Sequence, residues 1–515
     1  MEKSIYQQIC DHLSDGILAD DFSVKEEAHQ EGAFRFAPGA LDGITCYHMG
    51  LSDPGEAAAK EMIRALKCAA RGSWEEADHK FAALCKDHRA LCLVDHLQNY
   101  LRGHVRELDP GEMHAAAVHF LLHSGNIECV KIGLGILELF GEPVDELKEI
   151  IRRLGQYDEF TLFAVWNMQR WKNANEEIYR LARLTRGWGR IHAVERLEPE
   201  TEEIRRWLLT EGSVNEVMSA YSALTCWTKS GAGELLSGNI TQEEYQGLSV
   251  IMEGLLDEGP VQGLSGITDR EQVLLRFLEQ SKIYAASVHD FELILNIFAW
   301  TEDQEEDYIS VRSECDSLLH SKKCALAVSG AVEKGEGLRL ADLLEIPFRD
   351  QLLGCMREDF GHFHYKCGYL LEAPAYVDPT LDLYRRKLPL LKTPGGLSDT
   401  EGTDGGSEDH TALEFLLQEL ADLPLTGTDL LLAAIRSPYP RLLFRALETA
   451  QGWAEIAGKP LAQLSPELFE AVSELEKKET ANEIKEMIRP LLAGDIRFHD
   501  SEDHDESEDE ENEQQ

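Results

Sequence analysis

The residue types best suited to chemistry gather in one short stretch, Cys355-x6-His362-x-His364-x-x-Cys367. Two thiols and two imidazoles within thirteen residues form a donor set that suits Zn²⁺. The spacing works against a shared ion. On a continuous helix His362 and His364 point about 200° apart, so both reach one metal only if the helix breaks near Gly361 or Gly368. The competing expectation is a buried helix carrying the rings of Phe360, Phe363 and Tyr365. A second group, His114, His119 and His123, sets His119 and His123 on one helical face, with no carboxylate nearby in sequence to complete a ligand set. His48, beside Cys46 and Tyr47, is a candidate base. No cofactor is expected, because the chain lacks Gly-x-Gly-x-x-Gly, a Walker-type loop, Gly-x-Ser-x-Gly and His-Glu-x-x-His.

Recognition has clearer candidates. Arg180, Arg183, Arg186, Arg190, Arg196, Arg205 and Arg206 form the one dense basic stretch of an acidic chain, and arginine suits planar carboxylate or phosphate groups. Four of the eight tryptophans lie in or beside it, and two of them, Trp166 and Trp207, fit core positions. Trp171 and Trp188 lie near helix ends. Trp171, Arg183, Arg186, Trp188 and Arg190 are therefore the expected partner-contact residues. The bland alternative is i,i+4 pairing of these arginines with Glu176, Glu177, Glu202 and Glu203.

These residues sit on a repeat. Asp145-Glu146-Leu147-Lys148-Glu149-Ile150-Ile151, Glu176-Glu177-Ile178-Tyr179-Arg180-Leu181-Ala182 and Glu202-Glu203-Ile204-Arg205-Arg206-Trp207-Leu208 align, with Leu147, Ile178 and Ile204 equivalent. Each follows an apolar helix, which predicts helix pairs at 127–140 with 144–154, 159–172 with 175–186, and 188–197 with 201–211. Pro143, Asn175 and Thr201 are expected to head the second helices, and Gly155, Gly187 and Gly212 to end them. Glu483-Ile484-Lys485-Glu486-Met487-Ile488 repeats the pattern late in the chain.

The segment Arg186-Gly187-Trp188-Gly189-Arg190-Ile191-His192-Ala193-Val194-Glu195-Arg196-Leu197 resembles HEAT-like repeats, although the aspartate and arginine ladder of their strictest members is missing. The stretch from Ala65 through Gly72, Trp74 and Ala77 to Phe81 resembles a single tetratricopeptide hairpin. These resemblances imply an all-α solenoid of stacked helical hairpins, an architecture that binds peptides and proteins along an extended surface. The segment from Gly187 to Ile204, with Phe36-Ala37-Pro38-Gly39-Ala40-Leu41-Asp42-Gly43-Ile44, also looks like a bacterial family labelled limonene (monoterpene) hydroxylase. That likeness implies oxygen chemistry, for which no haem, flavin or iron motif accompanies it.

The expected organisation is an N-terminal cap segment over 1–53, whose residues 32–50 read as an irregular stretch or small hairpin, serving as a functional loop or a cap. A helical-repeat array follows over 54–392, with one helix at 283–300 and a proline-spaced strap around Pro374, Pro379 and Pro389. A flexible linker (393–411) makes the best domain boundary. A C-terminal helical module (412–493) and an acidic disordered tail (494–515) complete the chain. The formal charge is −44, and ten carboxylates in the last sixteen residues leave about −34 on the rest. A body that acidic disfavours nucleic acid and favours a basic protein or peptide partner. Eleven dispersed cysteines read as reduced thiols, and neither a secretion signal nor a membrane span is visible, so the expected address is the cytoplasm. A non-enzymatic protein-binding scaffold is the leading expectation and the hydroxylase the alternative.

Overall fold

A computed structural model describes residues 3–24, 36–304, 307–388, 408–437, 439–479 and 482–495. Thirty α-helices carry nearly all the regular structure among them; the strands are a two-residue antiparallel pair, β1 (Leu13–Ser14) and β2 (Ile17–Leu18). The fold is all-α. It divides into two compact units, one ending at Ser321 and the other running from Lys322.

The first unit opens with α1 (Ile5–Asp11) and the β-hairpin, then α2 (Ala40–Ile44), which runs on as a π-helix to Met49. The expected hairpin at 32–50 is thus helical from Ala40; its residues 32–35 lie outside the described residues. Pro38-Gly39 starts this helix instead of turning a strand, with Gly39 as N-cap at φ 76°, a conformation open mainly to glycine. Next come α3 (Gly55–Ala69), α4 (Trp74–Leu84), α5 (Ala90–Gly103), α6 (Pro110–His123) and α7 (Ile127–Leu137). The repeat itself forms α8 (Asp145–Gly155), α9 (Asp158–Met168), α10 (Ala174–Leu184), α11 (Trp188–Arg196) and α12 (Glu202–Thr210). The unit closes with α13 (Ala220–Ser230), α14 (Ala232–Leu235), α15 (Gln242–Leu256), α16 (Arg270–Tyr284), α17 (Val288–Glu302) and α18 (Ile309–Leu319).

The repeat positions Leu147, Ile178 and Ile204 are all buried, as one apolar face per helix requires. The pairing differs from expectation. α8 packs most closely on α9, and α10 on α11, whereas α7 and α8 hardly touch, nor do α11 and α12. Connection length is the reason. Two residues join α8 to α9 and three join α10 to α11, which forces antiparallel neighbours, while seven separate α7 from α8. Gly155 does not stop α8 by a left-handed turn. It is the last helical residue, and a Cβ there would lie 2.8 Å from Ala164 Cβ, so it lets α8 and α9 close up. Of the expected capping residues, Thr201 accepts from Ile204 N. Asn175 lies within α10, where its amide bonds both backbone groups of Glu198, and Val144 takes the place proposed for Pro143. The single helix expected at 283–300 is interrupted, because Ser287 and Asp290 form a capping box that starts α17 afresh.

α5, α7, α9, α11 and α13 pack successively, each on the next. α7 and α9 are the most enclosed. Every residue from Cys129 to Leu137 is buried, as is every one from Phe160 to Met168 except Trp166.

The second unit contains α19 (Lys322–Ala331), α20 (Leu338–Leu343), α21 (Arg349–Glu358), α22 (Phe360–Phe363), α23 (Gly368–Leu371) and α24 (Pro374–Lys387). It continues with α25 (Glu408–Leu420), α26 (Thr428–Ile435), α27 (Pro440–Ala457), α28 (Leu461–Leu464), α29 (Pro466–Lys478) and α30 (Asn482–Ala493). The strap expected near Pro374 and Pro379 is the helix α24: Pro374 occupies its first turn, where no N–H is needed, and Pro379 lies inside it. The expected linker falls mainly on residues outside those described, as does the tail beyond residue 495. α25 nevertheless packs on α23, so one compact unit contains helices from both sides of that stretch.

Candidate functional site

Lys131 interrupts the buried apolar run of α7, one turn after Glu128, and its side chain is wholly buried. Burying an ammonium is tolerable only if its donors are met by counter-charges. Three carboxylates meet them: Asp42 at 2.7 Å, Glu159 at 2.6 Å and Glu128 at 3.0 Å. Arg89, at the head of α5, joins the set through Nε to Asp42 at 2.8 Å and lies 3.1 Å from Glu128. Burial pushes the Asp42 carboxyl up, but Lys131 and Arg89 outweigh it and hold it below its ordinary value. Burial likewise works against the Lys131 ammonium, and the three carboxylates more than reverse that. Asp42, Lys131 and Arg89 therefore stay charged at neutral pH.

The second oxygens of these carboxylates are also occupied. Glu128 accepts the Ala90 N–H at the start of α5 at 2.6 Å, and Glu159 accepts the Gly39 N–H at the start of α2 at 2.9 Å. Asp158 accepts from Gly187 and Gly189 at the start of α11; burial raises its pKa to about 7, against the pull of those two donors. Carboxylates thus meet orphan N–H groups at successive helix N-termini, where the helix dipole favours negative charge. α2 lies against the same surface at very short range. A Cβ on Gly43 would fall 2.1 Å from the Trp188 ring, and one on Gly39 would fall 2.9 Å from Asp158 O. The result is a clamp on residues 39–47, in which Tyr47 stacks on His192 at 6.1 Å and donates to Glu195 at 3.3 Å. His192 is 1% exposed, neither ring nitrogen has a partner among the described residues, and burial drives its pKa down to about 3. It is a neutral imidazole.

Lys131 has no free lone pair, and burial pushes the Cys46 thiol up to about 11, so neither is a nucleophile at neutral pH.

The expected site residues fall elsewhere, and several need correction. The set Cys355, His362, His364 and Cys367 is not assembled. Cys355 Sγ faces Glu333 O at 3.6 Å, His362 is exposed at the end of α22, and buried His364 packs on Phe360 and Phe415. Burial raises the Cys367 thiol to about 12. Among the described residues no group of three or more His, Cys, Asp or Glu side chains could hold a metal. His119 and His123 do share a face, with ring centroids 4.9 Å apart, and His119 leans on Trp74; His114 packs on Phe140 instead. His48 is exposed and bonds the Tyr221 hydroxyl at 2.7 Å.

Trp171 and Trp188 are core residues, 4% and 5% exposed, and do not offer a contact surface. Lys148 and Arg152 lie over the Trp171 ring at 5.4 and 5.5 Å, and α2 covers Trp188. Arg190 donates to the Thr185 and Val214 carbonyls, and Arg186 pairs with Asp20 at 2.8 Å. Arg183 remains exposed over the Tyr179 ring. The intrahelical alternative holds for Arg180, which pairs with Glu176 and Glu177, and for Arg205, which pairs with Glu202; Arg206 instead reaches Glu243 of α15.

No family model, curated protein or solved structure matches this chain. The likenesses to repeat proteins and to the hydroxylase-labelled family therefore rest on the quoted residues, and the site must be read from its own geometry. Sequence reasoning missed Asp42, Arg89, Glu128, Lys131 and Glu159. Two signals were present: a lone lysine in the apolar run Val130 to Leu137, and a lone aspartate between Phe36 and Ser52.

Proposed function

We propose that the protein is a non-enzymatic binding scaffold whose helical hairpins stack as a HEAT-like solenoid and hold a protein or peptide segment against the helical surface. The observation that supports this most is the grip on residues 39–47. Arg89 at the head of α5, Lys131 of α7, Glu159 of α9 and Trp188 of α11 hold that segment as they would a bound peptide. Successive packing of α5, α7, α9, α11 and α13, each pair burying a face the other cannot bury alone, is consistent with a stacked array. The partner is basic, because a net charge of −44 steers cationic surfaces inward and repels phosphate backbones. The hydroxylase alternative draws no support from Gly187, Trp188 and Gly189, which serve packing and helix capping here.

Capture with the tagged full chain, followed by a direct affinity measurement on each recovered protein, tests the reading. A basic partner whose affinity falls as ionic strength rises is expected. Recovery of no partner, or of one whose binding ignores salt, would overturn it.

A further inference from the structure

The clamp fixes one side of the 36–51 segment and leaves the other in solvent. Ala40, Asp42, Gly43 and Thr45 face inward and are buried. Phe36 is 48% exposed, Leu41 36%, Met49 77% and Leu51 55%. Between Phe36 and Ser52 the single carboxylate is the buried Asp42, and there is no lysine or arginine, in a chain that is 28% charged. The outward side is therefore an uncharged apolar strip. Asp53 follows the strip with its side chain 83% exposed, while Glu195, which accepts from Tyr47, is paired with Arg196 at 2.6 Å.

We infer that this strip docks an amphipathic helix of a partner protein, one presenting aliphatic side chains at i, i+3, i+4 and i+7 with Lys or Arg beside them. The inference rests on the scaffold reading and names its surface. Charge complementarity selects the occupant: exposed Asp53 at the end of the strip and the net charge of −44 favour a cationic partner and oppose a second copy of this chain. Apolar anchors at helical spacing match the strip, since residues 40–49 are themselves helical and Leu41 and Met49 lie two turns apart. Rigidity strengthens the case. The buried ion pairs and the contact of Gly43 with Trp188 hold the strip before any partner arrives, so little ordering is needed on binding. Met49 adds a side chain that adapts to varied apolar surfaces.

The test uses the full chain and fluorescence anisotropy with two labelled helical peptides of equal positive charge, one with leucines at the four anchor positions and one with serines there. The leucine peptide is expected to bind, the serine peptide to bind at least tenfold more weakly, and the exposed double variant Met49→Ser/Leu51→Ser to bind the leucine peptide about tenfold more weakly than the parent. Equal binding of both peptides would show charge alone at work and overturn the strip. Unchanged binding of the leucine peptide by the double variant would overturn the strip while leaving a scaffold for basic partners standing. No binding of either peptide would remove both readings.

Discussion

Replacing Lys131 by methionine probes the clamp most directly. The substitution keeps the aliphatic volume inside α7 and removes one positive charge, leaving Asp42, Glu128 and Glu159 to share Arg89. The Asp42 side chain is 3% exposed, so water cannot take the place of the ammonium. Breaking a buried ion pair by removing one partner costs about 3–5 kcal/mol, and three carboxylates losing their common counter-ion place Lys131→Met at the upper end. For a unit of this size that corresponds to a fall in Tm of about 5–10 °C.

The loss has a predictable pH dependence. Without Lys131 the burial that pushes the Asp42 carboxyl up is opposed by Arg89 alone, so Asp42 titrates higher than in the parent and the variant's deficit shrinks as pH falls and Asp42 takes up a proton. The deficit should be largest above pH 7 and shrink towards pH 5. Adding Asp42→Asn to Lys131→Met restores the original balance of one excess carboxylate and should be milder than the sum of the two single changes. Thermal melts of the full chain, with hydrogen exchange over residues 40–49, measure all of this. A Tm change below about 1 °C, or strict additivity in the double variant, would refute the idea that these charges act as one buried set.

Gly43→Ala should destabilise by about 1–3 kcal/mol and speed hydrogen exchange in α2; helix propensity alone would have made the same change stabilising by up to about 1 kcal/mol, so the sign of the Tm shift decides between them. His192 has a folded pKa of about 3 against about 6.5 unfolded, so its contribution to stability is present above pH 6.5 and lost as pH falls towards 3. The parent should therefore lose up to about 2 kcal/mol more than His192→Gln between pH 7 and pH 5, read from denaturant titrations at each pH. Asp158→Ala removes the acceptor for two N–H groups at the start of α11 and should cost about 1–2 kcal/mol, seen as faster exchange at Gly187 and Gly189.

What the sequence disclosed follows from how far each interaction reaches along the chain. The helices α8, α10 and α12 were legible because burial of Leu147, Ile178 and Ile204 depends on a local period of 3.6 residues. Their pairing was not. It follows from which connections are short: of the expected pairs, α7 with α8 and α11 with α12 are joined by seven and five residues and hardly touch, while α9 and α10 touch less than α8 and α9 do. The expected strap at Pro374 shows a smaller error of the same kind, since a proline in a first helical turn reads like a breaker until the N-terminus is located. The clamp was illegible for a stronger reason. Lys131 and Asp42 are separated by 89 residues, and nothing local says that the aspartate of one oddly uncharged segment meets the lysine of one apolar helix. The Cys355 to Cys367 stretch does break, between α21, α22 and α23, as a shared ion would need, but Cys355 faces Glu333 O and His364 packs on Phe360 and Phe415, contacts that no local spacing announces.

The fate of the arginines bears on what the surface offers. Read as a basic stretch, Arg180 to Arg206 promised a cationic contact site. In the fold Arg180 and Arg205 pair with carboxylates of their own helices, Arg190 holds two backbone carbonyls, and Arg206 holds Glu243 of α15, so these cations are matched by partners inside the fold. A guanidinium held between helices contributes little field beyond its own partner, whereas unpaired surface carboxylates keep theirs. The chain carries 94 acidic against 50 basic side chains, and using cations internally leaves its exterior more acidic than the stretch itself implied. The outer side of α2 is one place where exposed side chains such as Leu41 and Met49 are apolar and no charged residue intervenes. Under the proposed scaffold reading, charge would bring basic partners close and the apolar anchors would decide which of them stay.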